Sequence, residues 1–158
     1  QGHPYTNWSE LKEYLETEET TESTIYIAGE IEATEKISVA RPVVIRSVGE
    51  VKIIKGTSNI FNFESDTSFS LIGTENNHII FDGKGTESLY EFVRIYNAKG
   101  NFIFDYCTFQ NANYSSYEAA VLYAEGFSQI TMNNCIITNN QTSGYIIQLD
   151  NSEDEYGI

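Results

Sequence analysis

The polar loop at residues 113–118 contains the side chains best suited to bind a sugar. Tyr114 and Tyr117 place two aromatic rings beside hydroxyl groups, and Glu118 adds a carboxylate. Sugar rings stack on aromatic faces, and their hydroxyls form hydrogen bonds with polar side chains. The loop therefore predicts glycan binding through Tyr114, Tyr117 and Glu118. The alternative is that one of the two tyrosines folds back over a hydrophobic core.

Hydrolytic or eliminating chemistry has weaker candidates. Glycoside hydrolysis needs two carboxylates on one face, roughly 5–9.5 Å apart. Asp105 is the one carboxylate on the outward face of its expected strand column, and Asp82 lies on a neighbouring column that faces another way. Arg46 could serve as the base of a calcium-assisted lyase, but it lies two coils from Asp105, roughly 9–10 Å away. We therefore predict no catalytic residues, and Asp105 stays as a tentative ligand-binding residue.

Metal and redox chemistry are also weakly indicated. His78 is the only histidine outside the first three residues, and it lacks the companions of a catalytic triad or a zinc site. The acidic run at residues 150–155 lacks the glycine and the spacing of an EF-hand loop. We predict no cofactor, with calcium as a remote alternative. Cys107 and Cys135 are expected to stack as free thiols about 4.8 Å apart, although this spacing also allows a disulfide.

A repeat positions these side chains. Two sets of apolar residues recur every 28 residues, and a Gly or Asn follows each pair. The two apolar sets are Val51, Ile79, Cys107 and Cys135, and Ile53, Phe81, Phe109 and Ile137; the third set, at the bend, is Gly56, Gly83, Asn111 and Asn139. Residues two apart lie on one face of a β-strand, and Gly and Asn tolerate positive φ. A strand and a sharp bend that recur in this way predict a β-solenoid, with positive φ at the third set.

The solenoid is predicted to contain about five coils of three short strands each. The turns at residues 84–87, 113–118 and 140–142 fall at equivalent places in neighbouring coils. We therefore expect them to stack into one wall, which adds Asn140 to the tentative ligand-binding residues. A β-sandwich also uses short alternating strands, but it does not explain the 28-residue interval.

The two ends of the chain are predicted to differ. Residues 1–3 resemble the remnant of a cleavable tag, residues 4–23 form a capping helix and a linker, and residues 24–158 form the β-helix domain. Trp8 and Leu11 belong to the apolar face of this helix, which covers the first coil. The last coil is uncovered. We expect that the chain continues, that its last residues cap this end, or that the open coil mediates self-association.

Charge excludes two classes of partner. The formal net charge is −14, from 23 acidic and 9 basic residues. Such a surface repels nucleic acid and anionic membranes. No stretch approaches the ~20 apolar residues that span a bilayer. We therefore predict neither nucleic-acid binding nor membrane insertion, and a cell-surface or mucosal glycan becomes the expected partner.

The chain resembles the right-handed parallel β-helix family with the pectate-lyase-like fold. The resemblance covers about residues 5–158 and includes the capping helix, three strands per coil and the bend after the second strand. Asn111 and Asn139 match the positions where this fold stacks asparagines. The family includes polysaccharide lyases, glycoside hydrolases, phage tailspikes and bacterial adhesins, so the fold does not imply one function.

The resemblance implies three functions for testing. The family's hydrolase motifs, Asn-Thr-Asp, Asp-Asp and Gly-His-Gly, are absent from the sequence. The leading expectation is therefore a non-catalytic module of an extracellular or cell-surface bacterial protein, used for adhesion, spacing or glycan binding. One alternative is a fragment of a polysaccharide lyase or glycoside hydrolase whose active coils lie outside this chain. Another is a trimeric segment of a phage tail fibre or tailspike.

Overall fold

Parallel strands stack into a β-helix in a computed structural model, which describes residues 3–17, 23–127 and 129–151. One helix, α1 (Trp8–Glu16), precedes the strands. The strands are β1 (Thr24–Ala33), β2 (Ile37–Ser38), β3 (Val43–Lys55), β4 (Phe61–Phe63), β5 (Phe69–Ile72), β6 (Ile79–Asp82), β7 (Glu87–Ser88), β8 (Val93–Tyr96), β9 (Asn101–Asp105), β10 (Cys107–Gln110), β11 (Asn113–Tyr114), β12 (Ala119–Glu125), β13 (Gln129–Asn133), β14 (Ile136–Thr138), β15 (Gln141–Thr142) and β16 (Tyr145–Asp150).

The strands form three columns, and each column contains strand segments from five successive coils. The first column contains the start of β1, the start of β3, then β5, β9 and β13; the second contains the ends of β1 and β3, then β6, β10 and β14. The third column is β2, β4, β8, β12 and β16. The three columns confirm the predicted solenoid with three strands per coil. The five levels are separated by four steps along the solenoid, which corresponds to about four turns.

The repeat interval sets the register between coils. Val51 pairs with Ile79, and Ile79 pairs with Cys107. Thr108 pairs with Ile136, which places Cys135 beside Cys107 on the next coil. Residues one repeat apart are therefore direct neighbours across adjacent coils, as the sequence predicts.

Aromatic side chains from successive coils fill the interior. Phe81 and Phe109 occupy one inward position on neighbouring coils, and their rings stack with centroids 4.7 Å apart. Both rings are buried, as are Phe61, Phe63, Phe69, Phe92, Phe102 and Phe104. Complete burial of one such side chain contributes roughly 1.5–3 kcal/mol. The stacked phenylalanines thus hold the coils in register and keep the turns at fixed positions.

Helix α1 covers the first coil, as predicted. Asn7 caps it, since its side chain accepts a hydrogen bond from the backbone N–H of Glu10 at 3.2 Å. Trp8, Leu11 and Leu15 are buried, and the Trp8 ring nitrogen donates to the Glu35 carbonyl at 2.6 Å. The helix therefore supplies the apolar contacts that a preceding coil would make. Residues 18–22 of the expected linker lie outside the described residues.

Two details of the predicted coil are wrong. Gly56 and Gly83 do not have positive φ, whereas Asn111 and Asn139 do, at 60° and 55°. A Cβ on Gly83 would lie 2.5 Å from the Asn111 carbonyl oxygen, and one on Gly56 would lie 2.7 Å from the Ala33 carbonyl oxygen. Glycine is required there by close approach of an adjacent coil, the preceding one at Gly56 and the next one at Gly83, rather than by backbone conformation.

The second difference is in the number of strands. Short strands β7, β11 and β15 form a further three-stranded parallel sheet in turns that the sequence predicts as loops. In addition, β1 and β3 each run through two columns as one bent strand, whereas separate strands are expected. Neighbouring backbones offer unpaired N–H and C=O groups wherever turns of equal shape stack, so strand pairing extends into these turns.

The fifth level is more exposed than the levels below it. Ile136 and Ile137 are 50% and 38% exposed, whereas Phe109, one coil earlier at the position of Ile137, is buried. The described residues thus end on an apolar, partly open coil. Whether it mediates self-association stays a prediction. The acidic run beginning at Asp150 lies outside the described residues from position 152 onward.

Candidate functional site

Three turns of successive coils stack into one wall, which we call the stacked-turn wall (β7, β11, β15 and the residues that connect them to the second and third columns). Asn113 of β11 pairs with Glu87 of β7 on one side and with Gln141 of β15 on the other. The backbone N–H of Ser115 also donates to the Ser88 carbonyl at 3.0 Å. The expectation that these turns lie on one wall is confirmed.

An amide ladder forms the edge where the wall meets the second column. Nδ2 of Asn139 donates to Oδ1 of Asn111 at 2.6 Å, and Nδ2 of Asn111 donates to Oδ1 of Asp82 at 3.1 Å. Gln110 Nε2 lies 3.4 Å from the second oxygen of Asp82. The two asparagines therefore stack as expected, and their ladder ends on a carboxylate.

The Asp82 carboxylate is buried yet charged. Burial opposes its ionisation, but the backbone N–H of Lys84 at 2.8 Å, the amides of Asn111 and Gln110 and the charge of Lys84 together outweigh burial and lower the pKa of Asp82 below its ordinary value. Lys52 Nζ lies 3.8 Å from the same carboxylate. Several donors converge on a charge that water hardly reaches, which makes Asp82 the electrostatic centre of this edge.

A polar groove of about 540 Å³ opens beside the ladder. It is lined mainly by carboxamides and backbone, and we call it the amide groove. Its lining residues are Asp82, Lys84, Gly85, Asn111, Ala112, Asn113, Asn139, Asn140 and Gln141. Among the described residues, the side chains of Gln141 and Lys84 and the Oδ1 atom of Asn139 form no hydrogen bond. These groups can therefore form hydrogen bonds with a ligand without breaking an existing hydrogen bond.

An ion cluster lies at the other end of the short sheet. Arg94 Nη1 contacts Oε2 of Glu118 at 3.2 Å and Oε1 of Glu91 at 3.6 Å. The guanidinium carbon also lies 4.5 Å from the centre of the Tyr123 ring. Tyr123 in turn donates to Glu125 at 2.5 Å. Glu118, a predicted binding residue, therefore already has an ionic partner within the protein.

The two carboxylates of this cluster differ in environment. Glu91 is only 1% exposed, and burial raises its pKa above the ordinary value despite the nearby Arg94 charge. The Glu118 side chain is 45% exposed. Both carboxylates contact the same guanidinium nitrogen, so their contacting oxygens are at most about 7 Å apart, which overlaps the range of catalytic carboxylate pairs. A fully buried Glu91 cannot reach the glycosidic oxygen of a polysaccharide, however, so the pair holds Arg94 in place.

A buried lysine, Lys55, contacts the stacked-turn wall from the core side. Lys55 Nζ donates to Oγ of Ser88 at 2.6 Å. Burial lowers the pKa of Lys55 to about 8, and the charge of Glu91 partly opposes this shift. The Ser88 hydroxyl also accepts from the Tyr90 backbone N–H at 3.1 Å and lies 3.3 Å from the Tyr90 carbonyl. Its hydrogen-bonding capacity is therefore used within the turn, which identifies this pair as structural.

The two predicted tyrosines have different environments. Tyr114 is 3% exposed and packs with the core, so its ring is not presented to a ligand. The alternative that one tyrosine folds back over the core therefore describes Tyr114. Tyr117 is 86% exposed. It lies between Tyr114 and the start of β12. This connection to the third column is three residues longer than the corresponding connection in the preceding coil.

Asn140 joins two coils. Its Oδ1 accepts from the backbone N–H of Ala112 at 2.9 Å, and its Nδ2 donates to the Phe109 carbonyl at 3.0 Å. Both ends of the carboxamide are thus used to satisfy backbone groups of the preceding coil. Asn140 lines the amide groove, but its side chain serves to connect two adjacent coils.

Asp105 lies away from the other predicted site residues. It belongs to the first column, where it pairs with Ile72 below and Asn133 above. Its Oδ1 accepts from Nδ2 of Asn134 at 3.0 Å. Asn134 and Asp105 thus form a second amide–carboxylate contact between coils, at the bend before the second column. The structure therefore does not bring Asp105 together with Tyr117, Glu118 and Asn140.

His78 lies beside a second groove, of about 390 Å³. Its Nδ1 is 2.9 Å from Oγ1 of Thr108, and its ring packs edge-on against Tyr106 with centroids 5.6 Å apart. The predicted solvated loop histidine is thus half-buried and fixed by two contacts. Within residues 3–17, 23–127 and 129–151, no group of three or more His, Cys, Asp or Glu side chains is arranged to hold a metal ion.

Several residues beside the stacked-turn wall could not be anticipated from the repeat. Arg94 and Tyr123 sit on the outward face of the third column in adjacent coils. Their equivalence could have been read from the spacing of the third strands, but the partners Glu91 and Glu118 lie in turns of unequal length. Lys55 carried a weak signal, because it follows two isoleucines and immediately precedes a required glycine.

No protein-family model, no curated protein and no solved structure matches the chain. Among the described residues, no helix has the length and the apolar character needed to cross a bilayer.

Proposed function

We propose that this chain is a non-catalytic, pectate-lyase-like β-helix module of an extracellular or cell-surface bacterial protein, and that it binds a neutral glycan for adhesion. The observation that carries the proposal is the amide groove with the exposed Tyr117 at the far end of the same short sheet. Asn113 lines the groove and lies four residues before Tyr117, so the two features are at most about 14 Å apart. An oligosaccharide of a few rings can span this distance.

The groove chemistry favours hydroxyl groups as ligands. A carboxamide offers both donors and an acceptor, so it can bind a sugar hydroxyl in either role. Gln141 provides such a group, and Oδ1 of Asn139 provides a further acceptor. Tyr117 offers an aromatic face at low entropic cost, because few of its torsions need to be fixed.

Charge narrows the class of glycan. The net charge of −14 disfavours long acidic polysaccharides. The amide groove is lined by one acidic and one basic residue, Asp82 and Lys84, whose charges attract each other, so its lining lacks the cluster of cations that a uronate chain would need. A neutral hexose or N-acetylhexosamine chain meets no such repulsion.

A glycan array probed with the labelled protein, followed by calorimetry on the best neutral oligosaccharide, tests the proposal. Tyr117→Ala should weaken binding about 2–10-fold, the range expected for one aromatic contact. Gln141→Ala should weaken it about 5-fold through loss of a hydrogen bond. Tyr26→Ala, on the outward face of the first column, is the matched control and should leave the affinity unchanged.

Two results would reject the proposal. One is the absence of binding to any neutral glycan on the array. The other is binding that Tyr117→Ala and Gln141→Ala do not weaken. Release of reducing ends or of unsaturated products from the bound oligosaccharide would instead favour the polysaccharide-degrading alternative.

A further inference from the structure

Cys107 and Cys135 form a pair of thiols that the glycan site does not use. Both are free cysteines, and they occupy the same position on adjacent coils, one residue before the paired Thr108 and Ile136. Directly paired residues on parallel strands have Cα atoms about 4.8 Å apart. This distance lies within the range of about 4.4–6.8 Å that a disulfide requires.

The two thiols differ in access. Cys107 is buried, and its Sγ lies 3.5 Å from the Leu71 carbonyl oxygen. Cys135 is half-buried, and its Sγ lies 3.4 Å from the Phe104 carbonyl oxygen. A reagent from solution can therefore approach Cys135, whereas Cys107 is reached only through Cys135 or after local opening.

We propose that Cys135 is a site of thiol–disulfide exchange and that Cys107 is its resolving thiol, so that oxidation joins the fourth and fifth coils by a disulfide. The oxidant is a low-molecular-weight disulfide of the glutathione type. The proposal is independent of glycan binding.

The exchange proceeds in two balanced steps. The Cys135 thiol loses its proton, and the thiolate attacks one sulfur of the small disulfide, which forms a mixed disulfide and releases one small thiolate that takes up a proton. The Cys107 thiol then loses its proton and attacks the Cys135 sulfur. This forms the Cys107–Cys135 bond and releases the second small thiol. The protein loses two hydrogens and two electrons, and the small disulfide is reduced to two thiols.

The environment of the pair favours this order of attack. Hydrogen bonds from the thiol and the backbone amide of Cys107 outweigh partial burial and lower the pKa of Cys135. The same thiol–thiol hydrogen bond, together with burial, raises the pKa of Cys107. The accessible sulfur is thus the better nucleophile at neutral pH, and the buried sulfur becomes reactive once its neighbour carries a leaving group.

Mass spectrometry of the native, fully reduced protein after addition of oxidised glutathione tests this inference. The wild-type protein should pass through a single glutathione adduct on Cys135 and end two hydrogens lighter, without adduct. Cys107→Ser should stop at the adduct, because no resolving thiol remains. Cys135→Ser should react at least 10-fold more slowly than the wild type. Circular dichroism establishes that each variant is folded.

Three outcomes would overturn the inference: a stable adduct on the wild-type protein, first reaction at Cys107, or no reaction before the protein unfolds. If Cys107→Ser does not fold, Cys107→Ala replaces it. If neither folds, the wild-type protein still gives an answer, because peptide mapping after brief exposure identifies which cysteine reacts first and whether the disulfide follows.

Discussion

Nδ2 of Asn111 donates a hydrogen bond to Oδ1 of Asp82 at 3.1 Å, and this contact gives the whole amide ladder one direction. An ionised carboxylate can only accept, so Asn111 must turn its Nδ2 towards Asp82 and its Oδ1 towards the next coil. Asn139 then turns its own Nδ2 down to Asn111. The charge on Asp82 therefore determines, through Asn111, that the Oδ1 atom of Asn139 is left without a hydrogen-bond donor among the described residues of the amide groove.

Replacement of Asp82 should reduce stability in a graded way. Asp82→Ala leaves the donors of Asn111, Gln110 and the Lys84 backbone without an acceptor, so the free energy of unfolding should fall by about 3 kcal/mol. Asp82→Asn keeps one acceptor oxygen and should cost about 1 kcal/mol. Urea unfolding measures both values. Equal losses for the two variants would contradict the role assigned to the carboxylate.

Lys55 should make stability depend on pH in the alkaline range. Its pKa is about 8 in the folded protein, against an ordinary value of 10.5 in the unfolded chain. Between these values the unfolded chain binds the proton and the folded chain does not, so the free energy of unfolding should rise with pH. In Lys55→Met this rise should disappear. Urea unfolding of both proteins at several pH values across this window gives the comparison, and parallel curves would refute the assignment.

Tyr114 and Tyr117 should differ sharply in their effect on stability. Tyr114→Ala removes a buried ring from the wall and should lower the free energy of unfolding by about 3 kcal/mol. Tyr117→Ala changes an exposed side chain and should alter it by less than about 0.5 kcal/mol. Thermal and urea unfolding supply the measurement. A large loss in Tyr117→Ala would mean that the ring packs against the protein and is not presented to a glycan.

Gly83 should tolerate substitution less well than Gly49, for different physical reasons. In Gly83→Ala the new Cβ would meet the Asn111 carbonyl at 2.5 Å, so the coils must separate locally. We expect a loss of about 3 kcal/mol. Gly49 has a φ of 65° and open space around it, so Gly49→Ala should cost only the backbone strain of about 1–2 kcal/mol. Urea unfolding ranks the two variants. The opposite ranking would mean that backbone conformation, rather than close approach of the next coil, determines where glycine is required.

The sequence by itself determined the solenoid, its columns and the faces of its strands. A repeat of 28 residues places Val51, Ile79 and Cys107 at one inward position. The same interval separates Asn111 from Asn139, whose side chains are hydrogen-bonded across adjacent coils. Parallel pairing converts equal spacing along the chain into adjacency in space, so every periodic residue could be assigned to its neighbours.

Tertiary structure alone decided which of these neighbours are available to a ligand. Tyr114 and Tyr117 belong to one loop with the same composition around them, yet one is buried and the other is exposed. Glu118 is tied to Arg94, and Asn140 is used by the backbone of the preceding coil. These outcomes depend on turns of unequal length, in which no repeat fixes the register. There, each side chain takes the position set by the unpaired backbone groups and charges of the adjacent coil, and these become defined only when the coils stack.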